Sequence, residues 1–371
     1  MIPLNDFSRQ WRDVSEEALA AFAATGESGW YILGREVREF EDELAAFWHT
    51  GYAVGVASGL DALEIGLRCL GCKPGDKVLT TPVSAFATTL AVLRIGAVPV
   101  FVDTDECGLI DLSGVRHVLS RDESIRFFLP VHLFGHALNA CGIRSLREDF
   151  GVEIIEDCAQ SIGATSDGLP TGAIGRVAAT SFYPTKNLGA LGDAGAVLTS
   201  DESCANSARV LRDYGQTAKY RHDVVGLNSR IDELQAAFLR RVSLPRLREW
   251  TARRREIASA YLAGIHHDAV KIPLPPNRSS SCWHLFPVLV APGHKSHFVS
   301  HLKNCGISTG EHYPIAVPDQ RALSELPFEI AETGIETART FCKSEISLPI
   351  HPYLLDTEIA RIVDAVNSWK P

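Results

Sequence analysis

Tyr52-Ala53-Val54-Gly55-Val56-Ala57-Ser58-Gly59-Leu60-Asp61-Ala62-Leu63 begins as an apolar run and ends as the start of a helix. Tyr52 to Ala57 reads as a buried strand, and Asp61 to Leu70 as the helix that follows it. Working outward, Lys77-Val78-Leu79-Thr80 is a second strand, Ala85 to Ile95 a second helix and Pro99-Val100-Phe101-Val102 a third strand, which completes a βαβ unit. Phe127 to Val131, Val152 to Ile155, Ala179 to Phe182 and Ala194 to Leu198 continue the series. Uninterrupted apolar strands alternating with helices predict an α/β fold with a large, mostly parallel sheet sandwiched by helices.

After about residue 230 the alternation stops. Asp232 to Glu249 reads as one helix and Trp250 to Ala263 as a second, Arg-rich helix whose charges suggest a solvated face. Pro273 to Ser281 is loop-like, Leu285 to Val290 a strand and Asp356 to Trp369 a closing helix. The expected division is a large domain with an N-terminal arm over residues 1–245 and a smaller α+β domain over 246–371.

Composition narrows the function classes. The 371 residues carry 36 basic and 45 acidic side chains, a formal net charge of −9. No basic excess suits nucleic acid, and no stretch reaches the roughly 20 apolar residues of a membrane helix. The first residues, Met1-Ile2-Pro3-Leu4-Asn5-Asp6, lack the basic-then-apolar order of a signal peptide. Nine cysteines at scattered spacings do not make a disulfide framework, and Cys69 and Cys72 read as helix-end residues rather than a redox pair. These features predict a cytoplasmic protein without nucleic-acid or membrane partners.

In open α/β sheets ligands bind beyond the carboxyl ends of the strands, so the polar residues there are the candidates. Ser58-Gly59 at a strand-to-helix turn suits an anion, through backbone N–H groups, the helix dipole and the Ser58 hydroxyl; it also suits a plain Ser N-cap. Glu156-Asp157 ends an apolar strand in two carboxylates, which need donors or a cation if enclosed; Asp157 as an N-cap is the alternative. Ser181-Phe182-Tyr183-Pro184-Thr185-Lys186-Asn187-Leu188-Gly189 puts one lysine on a Gly-rich turn, and an amine held in a dry site can lose its proton and join an aldehyde. Phe86, after the second strand, can stack on a flat ring or simply pack in the core. Together these provide a phosphate cradle, a stacking ring, a carboxylate and a lysine, the set that pyridoxal 5'-phosphate requires. A nicotinamide site would need G-x-G-x-x-G at one of these turns, and none has it.

In order along the chain, Ser58-Gly59-Leu60-Asp61-Ala62-Leu63, Glu156-Asp157-Cys158-Ala159-Gln160, Ser181 to Gly189, Gly226-Leu227-Asn228-Ser229-Arg230-Ile231-Asp232-Glu233-Leu234-Gln235-Ala236 and Glu311-His312-Tyr313-Pro314 resemble the motifs of the DegT/DnrJ/EryC1/StrS sugar aminotransferases. The resemblance covers nearly the whole chain. It implies the aspartate-aminotransferase-like fold (fold type I) and a homodimer with shared active sites. It further implies that Lys186 joins the cofactor aldehyde and moves the proton, that Asp157 pairs with the ring nitrogen, that Gln160 bonds the ring hydroxyl and that Phe86 stacks on the ring. Ser58, Gly59, Leu60 and Ser181 are implied to hold the phosphate, with Asn228 reaching over from the second subunit. Leu60 departs from the family pattern, which usually has Thr there, so one hydroxyl donor is lost.

The resemblance also implies L-glutamate as amino donor, pyridoxamine 5'-phosphate as the form carrying the amino group, and a nucleotide-linked keto-deoxysugar as acceptor. Tyr183 in the lysine motif, with Lys219 and Tyr220, resembles the subgroup acting on dTDP-3-keto sugars; His312 and Tyr313 are expected to line the sugar pocket. A 4-keto-sugar or cyclitol aminotransferase is the alternative within the family, and a non-catalytic cofactor-binding regulator the alternative outside catalysis. Retention of Lys186, Asp157 and Gln160 speaks against the regulator. Related dehydratases carry histidine in place of the lysine. His132 and His136, four apart, have a spacing that binds zinc on a helix, but Pro130 and Gly135 argue for a loop, and no metal site is expected.

Overall fold

The computed structural model describes residues 1–371. Two helices, α1 (Phe7–Ser28) and α2 (Arg35–Trp48), precede β1 (Tyr52–Val56), α3 (Gly59–Cys69), β2 (Lys77–Thr80), α4 (Phe86–Ile95) and β3 (Val98–Phe101). The chain continues through α5 (Leu112–Leu119), β4 (Ile125–Leu129), α6 (Ala140–Phe150), β5 (Glu153–Asp157), the short β6 (Thr165–Ser166) and β7 (Leu169–Pro170), then β8 (Val177–Ser181) and β9 (Gly195–Thr199). Next come α7 (Glu202–Arg212), the hairpin β10 (Gln216–Ala218) and β11 (Arg221–His222), α8 (Glu233–Phe238) and α9 (Leu244–Gly264). The last part holds β12 (Val270–Lys271), β13 (Ser279–Ser280), β14 (Phe286–Val290), α10 (Lys295–Asn304), β15 (Glu329–Ile330), α11 (Glu336–Ser344), β16 (Glu345–Leu348) and α12 (Asp356–Ser368).

Eight strands form the main sheet in the order β1-β9-β8-β5-β4-β2-β3-β15. Only β9 runs against its neighbours. Because β9 is reversed between β1 and β8, those two strands share a direction, and the C-terminal ends of β1, β8, β5, β4 and β2 all meet at one edge. The alternation of the strands shows why both faces are covered. Val54, Val56, Val177, Ala179 and Val197 belong to the core under α3, α4, α5 and α6. Ala53, Ala178, Ala196 and Leu198, one step out of phase, pack on the other face with Val37, Phe40 and Leu44 of α2.

A second core joins β14, β16, α10, α12 and Ile257 and Tyr261 of α9. The chain after residue 246 contributes to both cores: Ala316, Leu323, Ile335 and Phe341 pack with the large sheet, and β15 forms its edge beside β3.

Two readings of the C-terminal half are corrected. The helices expected over 232–249 and 250–263 form one run, since α8 passes through a π-helical turn at Leu239–Ser243 into α9 without a break. The arginines of that run are not simply a solvated face. Arg254 is buried and donates to the carbonyls of Trp283, His284 and Ile350 at 3.3, 3.2 and 2.5 Å. Arg255 donates to Ser281 and Gly163.

Candidate active site

At the sheet edge, Val56 and Ser181 both face Gly195 in register, which brings the first and third motifs together. The approach is closer than any side chain permits. A Cβ on Gly59 would lie 2.6 Å from that of Ser181, and one on Gly195 would lie 2.5 Å from the Ser58 carbonyl. Ser58 caps α3, its Oγ accepting from Asp61 N–H at 3.1 Å, and Ser181 Oγ accepts from Tyr183 N–H at 3.2 Å. Both hydroxyls therefore accept from the backbone and keep their own protons free to donate. The Gly59 and Leu60 N–H groups, in the first turn of α3, find no acceptor within the chain. These donors fit a phosphate at a helix N-terminus. Leu60 itself packs against the core and adds only its N–H.

Asp157 ends β5 at 5% exposure. Its Oδ2 accepts from Thr88 Oγ1 at 2.9 Å and its Oδ1 from Ala159 N–H at 3.1 Å, and it caps no helix. Thr88 in turn lies 2.7 Å from Ser84 Oγ. Since Thr88 gives its proton to the carboxylate, it accepts from Ser84. Burial pushes the Asp157 carboxyl up, opposed by these donors and by the charge of Lys186. Phe86, two residues before Thr88 on α4, is half-buried against the large core.

Lys186 lies on the loop after β8, half-buried, with its N–H donating to Tyr183 carbonyl at 2.8 Å. Burial pulls the ammonium down to about 8, against the pull of Asp157. Lysine, carboxylate and phosphate donors thus share one edge of the sheet. Gln160 is held here too: its Oε1 accepts from Phe134 N–H at 2.7 Å and its Nε2 donates to Tyr313 Oη at 3.2 Å. Phe134 itself is in the left-handed region, with φ 61°. Burial pushes the Tyr313 hydroxyl up.

His312 is half-buried, its N–H donating to Glu345 Oε2 at 2.5 Å and its Nδ1 lying 2.9 Å from Ser347 Oγ. Tyr183 is 52% exposed on the lysine loop, and Tyr220 is 83% exposed at the tip of the β10–β11 hairpin, with Lys219 Nζ 5.3 Å from its ring centroid. Asn228 is exposed as well. Lys219, Tyr220 and Asn228 are all exposed on this chain, and Ser229, next to Asn228, accepts from Ala57 N–H at 3.1 Å and donates to Asp61 at 2.8 Å beside the Ser58 turn.

The histidine pair is accounted for by structure. His132 Nδ1 accepts from Leu138 N–H at 3.0 Å, so its Nε2 carries the proton and donates to Glu156 at 2.9 Å. Glu156 also takes the N–H groups of Gly172, Ile174 and Gly175; His132 first, and then these donors, hold its pKa down against burial and make it a tie between β5 and that turn. His136 Nδ1 pairs with Ser281 Oγ at 2.8 Å. Sequence reasoning missed Ser84, Thr88, Asn187, His284, Glu345 and Ser347 around the site. The four-residue spacing of Ser84 and Thr88 at the start of α4 and the place of Asn187 in the lysine motif offered a signal; His284, Glu345 and Ser347 arrive from distant segments.

The profile of the DegT/DnrJ/EryC1/StrS aminotransferase family matches residues 12–367. The chain is 40% identical to the dTDP-3-amino-3,4,6-trideoxy-alpha-D-glucose transaminase of Streptomyces venezuelae, over 99% of this chain and 96% of that one. It is 38% identical to the dTDP-3-amino-3,6-dideoxy-alpha-D-galactopyranose transaminase of Aneurinibacillus thermoaerophilus, over 100% and 99%. Among solved structures, DesV of S. venezuelae in complex with a ketimine intermediate superposes with a TM-score of 0.94 at 39% identity, covering 99% and 98% of the two chains. NtdA of Bacillus subtilis, with the cofactor PMP bound, superposes at 0.86 with 28% identity, covering 95% and 81%.

Proposed function

The chain belongs to the DegT/DnrJ/EryC1/StrS aminotransferase family, and from that premise we propose that it moves the amino group of L-glutamate to a dTDP-linked 3-keto-6-deoxyhexose for amino-sugar biosynthesis. Pyridoxal phosphate supplies the aldehyde that carries the amino group and a ring that draws electrons from the reacting carbon. The observation that carries the reading is Lys186, an amine pulled to about 8, on the same sheet edge as Asp157 and the Ser58–Ser181 donors.

Each residue then has a task that its surroundings explain. Lys186 Nζ, near neutrality in pKa, takes the proton from the substrate carbon and returns it on the other side of the transfer. Asp157, backed by Ser84 and Thr88, holds the proton on the ring nitrogen. Ser58, Ser181 and the N–H groups of Gly59 and Leu60 bind the phosphate. Phe86 would cover the ring, and Gln160, which donates to Tyr313, would bond its hydroxyl.

The 3-keto assignment is supported by Tyr183 on the lysine loop and by the two transaminases above, both named for 3-amino sugars. Asn228, Lys219 and Tyr220 act across a homodimer, Asn228 at the partner's phosphate and the other two at its nucleotide sugar. Supporting this, the outer surface around them exposes Trp30, Tyr31, Tyr214 and Val225, an apolar area suited to a second copy. No helix is long and apolar enough to cross a membrane.

The test is the visible spectrum of the cofactor-loaded protein before and after L-glutamate. Conversion of the yellow lysine-bound form to the pyridoxamine form is the expected result, followed by its reversal with dTDP-3-keto but not 4-keto sugars. A yellow form indifferent to every donor and acceptor would favour the regulator, and reversal by the 4-keto sugar alone would move the assignment to the 4-position.

A further inference from the structure

His284 enters the site from the segment before β14, and nothing in its local sequence marks it. It is 6% exposed, and its Nδ1 lies 3.2 Å from Asn187 Oδ1. Asn187 spends its Nδ2 donor on the Cys282 carbonyl at 3.0 Å, so its Oδ1 can only accept. His284 Nδ1 therefore carries a proton. The same logic applies to His312. Burial pushes the Glu345 carboxyl up to about 7; above that pH, as a carboxylate, it takes the one hydroxyl proton of Ser347 on Oε1 at 2.5 Å, so toward His312 Nδ1 Ser347 accepts. That ring is also protonated on Nδ1.

In both rings the remaining nitrogen, Nε2, has no partner in the chain. Both residues line one cavity of about 60 Å³, with Thr185 and Asn5 on its other walls. Thr185 and Asn5 also border the hollow that Lys186 lines, so the two spaces adjoin. Burial and the nearby lysine charge hold both imidazoles uncharged, His312 at about 4 and His284 well below its ordinary value. This arrangement presents two lone pairs, without any fixed charge, in a space that adjoins the hollow lined by the residue that must alternate between amine and ammonium.

We propose that His284 and His312 are positioning residues for Lys186: two neutral imidazoles whose Nε2 atoms accept N–H donors from the lysine once it is released from the cofactor. The inference rests on the aminotransferase reading of Lys186. Its physical sense lies in the kind of acceptor. A carboxylate in the same place would stabilise the ammonium strongly and raise its pKa, leaving too little free base near neutral pH. A lone pair without charge steadies the ammonium while leaving the proton removable. The charged or titratable groups around Lys186 and its two histidines are Asp157, which raises the lysine's pKa, Arg254, Asp6, His351 and Tyr353 on the walls of the same hollow, and Glu345 behind His312, which burial pushes up to about 7.

Paired substitutions separate acceptor from shape. Asparagine keeps a donor near the Nδ1 position and removes the Nε2 acceptor, whereas glutamine puts an amide oxygen where Nε2 stood. With His284→Asn and His312→Asn, the ammonium of Lys186 loses an acceptor, so its pKa falls. The acidic limb of the pH profile for the glutamate half-reaction then moves to lower pH by about one unit for each substitution. His284→Gln and His312→Gln restore the limb. Independently of turnover, ¹⁵N spectra of histidine-labelled holoenzyme are expected to show both rings protonated on Nδ1 and bare on Nε2. Unmoved profiles in both Asn variants, or protonated Nε2 atoms in the spectra, would overturn the proposal. Loss of all glutamate reactivity in the wild type, with the expected spectra, would overturn instead the function assigned to Lys186.

Discussion

At Asp157 the competition is between burial and hydrogen bonding. A carboxylate at 5% exposure loses most of its hydration, and this burial pushes its pKa upward against the pull of its two donors and of Lys186. Thr88 is the donor that can be removed without touching the backbone. Thr88→Val keeps the volume and deletes the hydroxyl, so Asp157 rises further and also loses the Ser84–Thr88 chain behind it. Because Asp157 works as an anion, its activity appears only above its pKa; a higher pKa therefore cuts turnover most at the acid end. We expect kcat to fall roughly tenfold below pH 6 and less at pH 8, about what one lost bond to a charged group implies. A uniform fall across the pH range would mean that Thr88 matters only for packing.

At the scale of the element, α9 shows how a charged helix is used in the interior. Its Arg254 reaches three carbonyls on two segments, 283–284 and 350, and so fastens the segment carrying His284 to the helix. Burial pulls the guanidinium down to about 10, yet it remains charged at any ordinary pH. Arg254→Met fills the space with an apolar chain but leaves those carbonyls without a donor. The expected cost is about 3 kcal/mol, read as a lower melting temperature together with a raised KM as the 283–284 segment loosens. An unchanged melting temperature would show that water replaces the guanidinium.

At the scale of the molecule, the candidate residues fall into two groups, one at least partly enclosed and one exposed. Lys186, Asp157, Gln160, Ser58 and Ser181 converge on one edge of the sheet, while Asn228, Lys219 and Tyr220 face outward. A twofold dimer reconciles the two groups if the outward set of one chain serves the site of the other. Lys186→Ala and Asn228→Asp are each expected to be nearly inactive. Co-assembled at equal amounts, half of the dimers are mixed and one site in each mixed dimer is intact, which restores about a quarter of wild-type activity. No recovery on mixing would place Asn228 at the site of its own chain.

Strand and helix alternation, the apolar runs of β1 to β5 and the Ser-Gly and lysine turns were legible in the sequence because they are local: period, turn chemistry and residue type are set within a dozen positions. The reversed β9 could not be read, since an apolar run has no direction of its own and only its pairing with β1 and β8 orients it. The same holds for the proton positions on His284 and His312. They depend on Asn187, Ser347 and Glu345, partners up to 97 residues away, brought near by packing of the small core against the large sheet. The sequence by itself determined the fold class and the identity of the chemical groups. Tertiary structure alone decided which of those groups hold charge, which nitrogen carries a proton and which face outward, because these follow from burial and hydrogen bonding between segments that are remote in the chain.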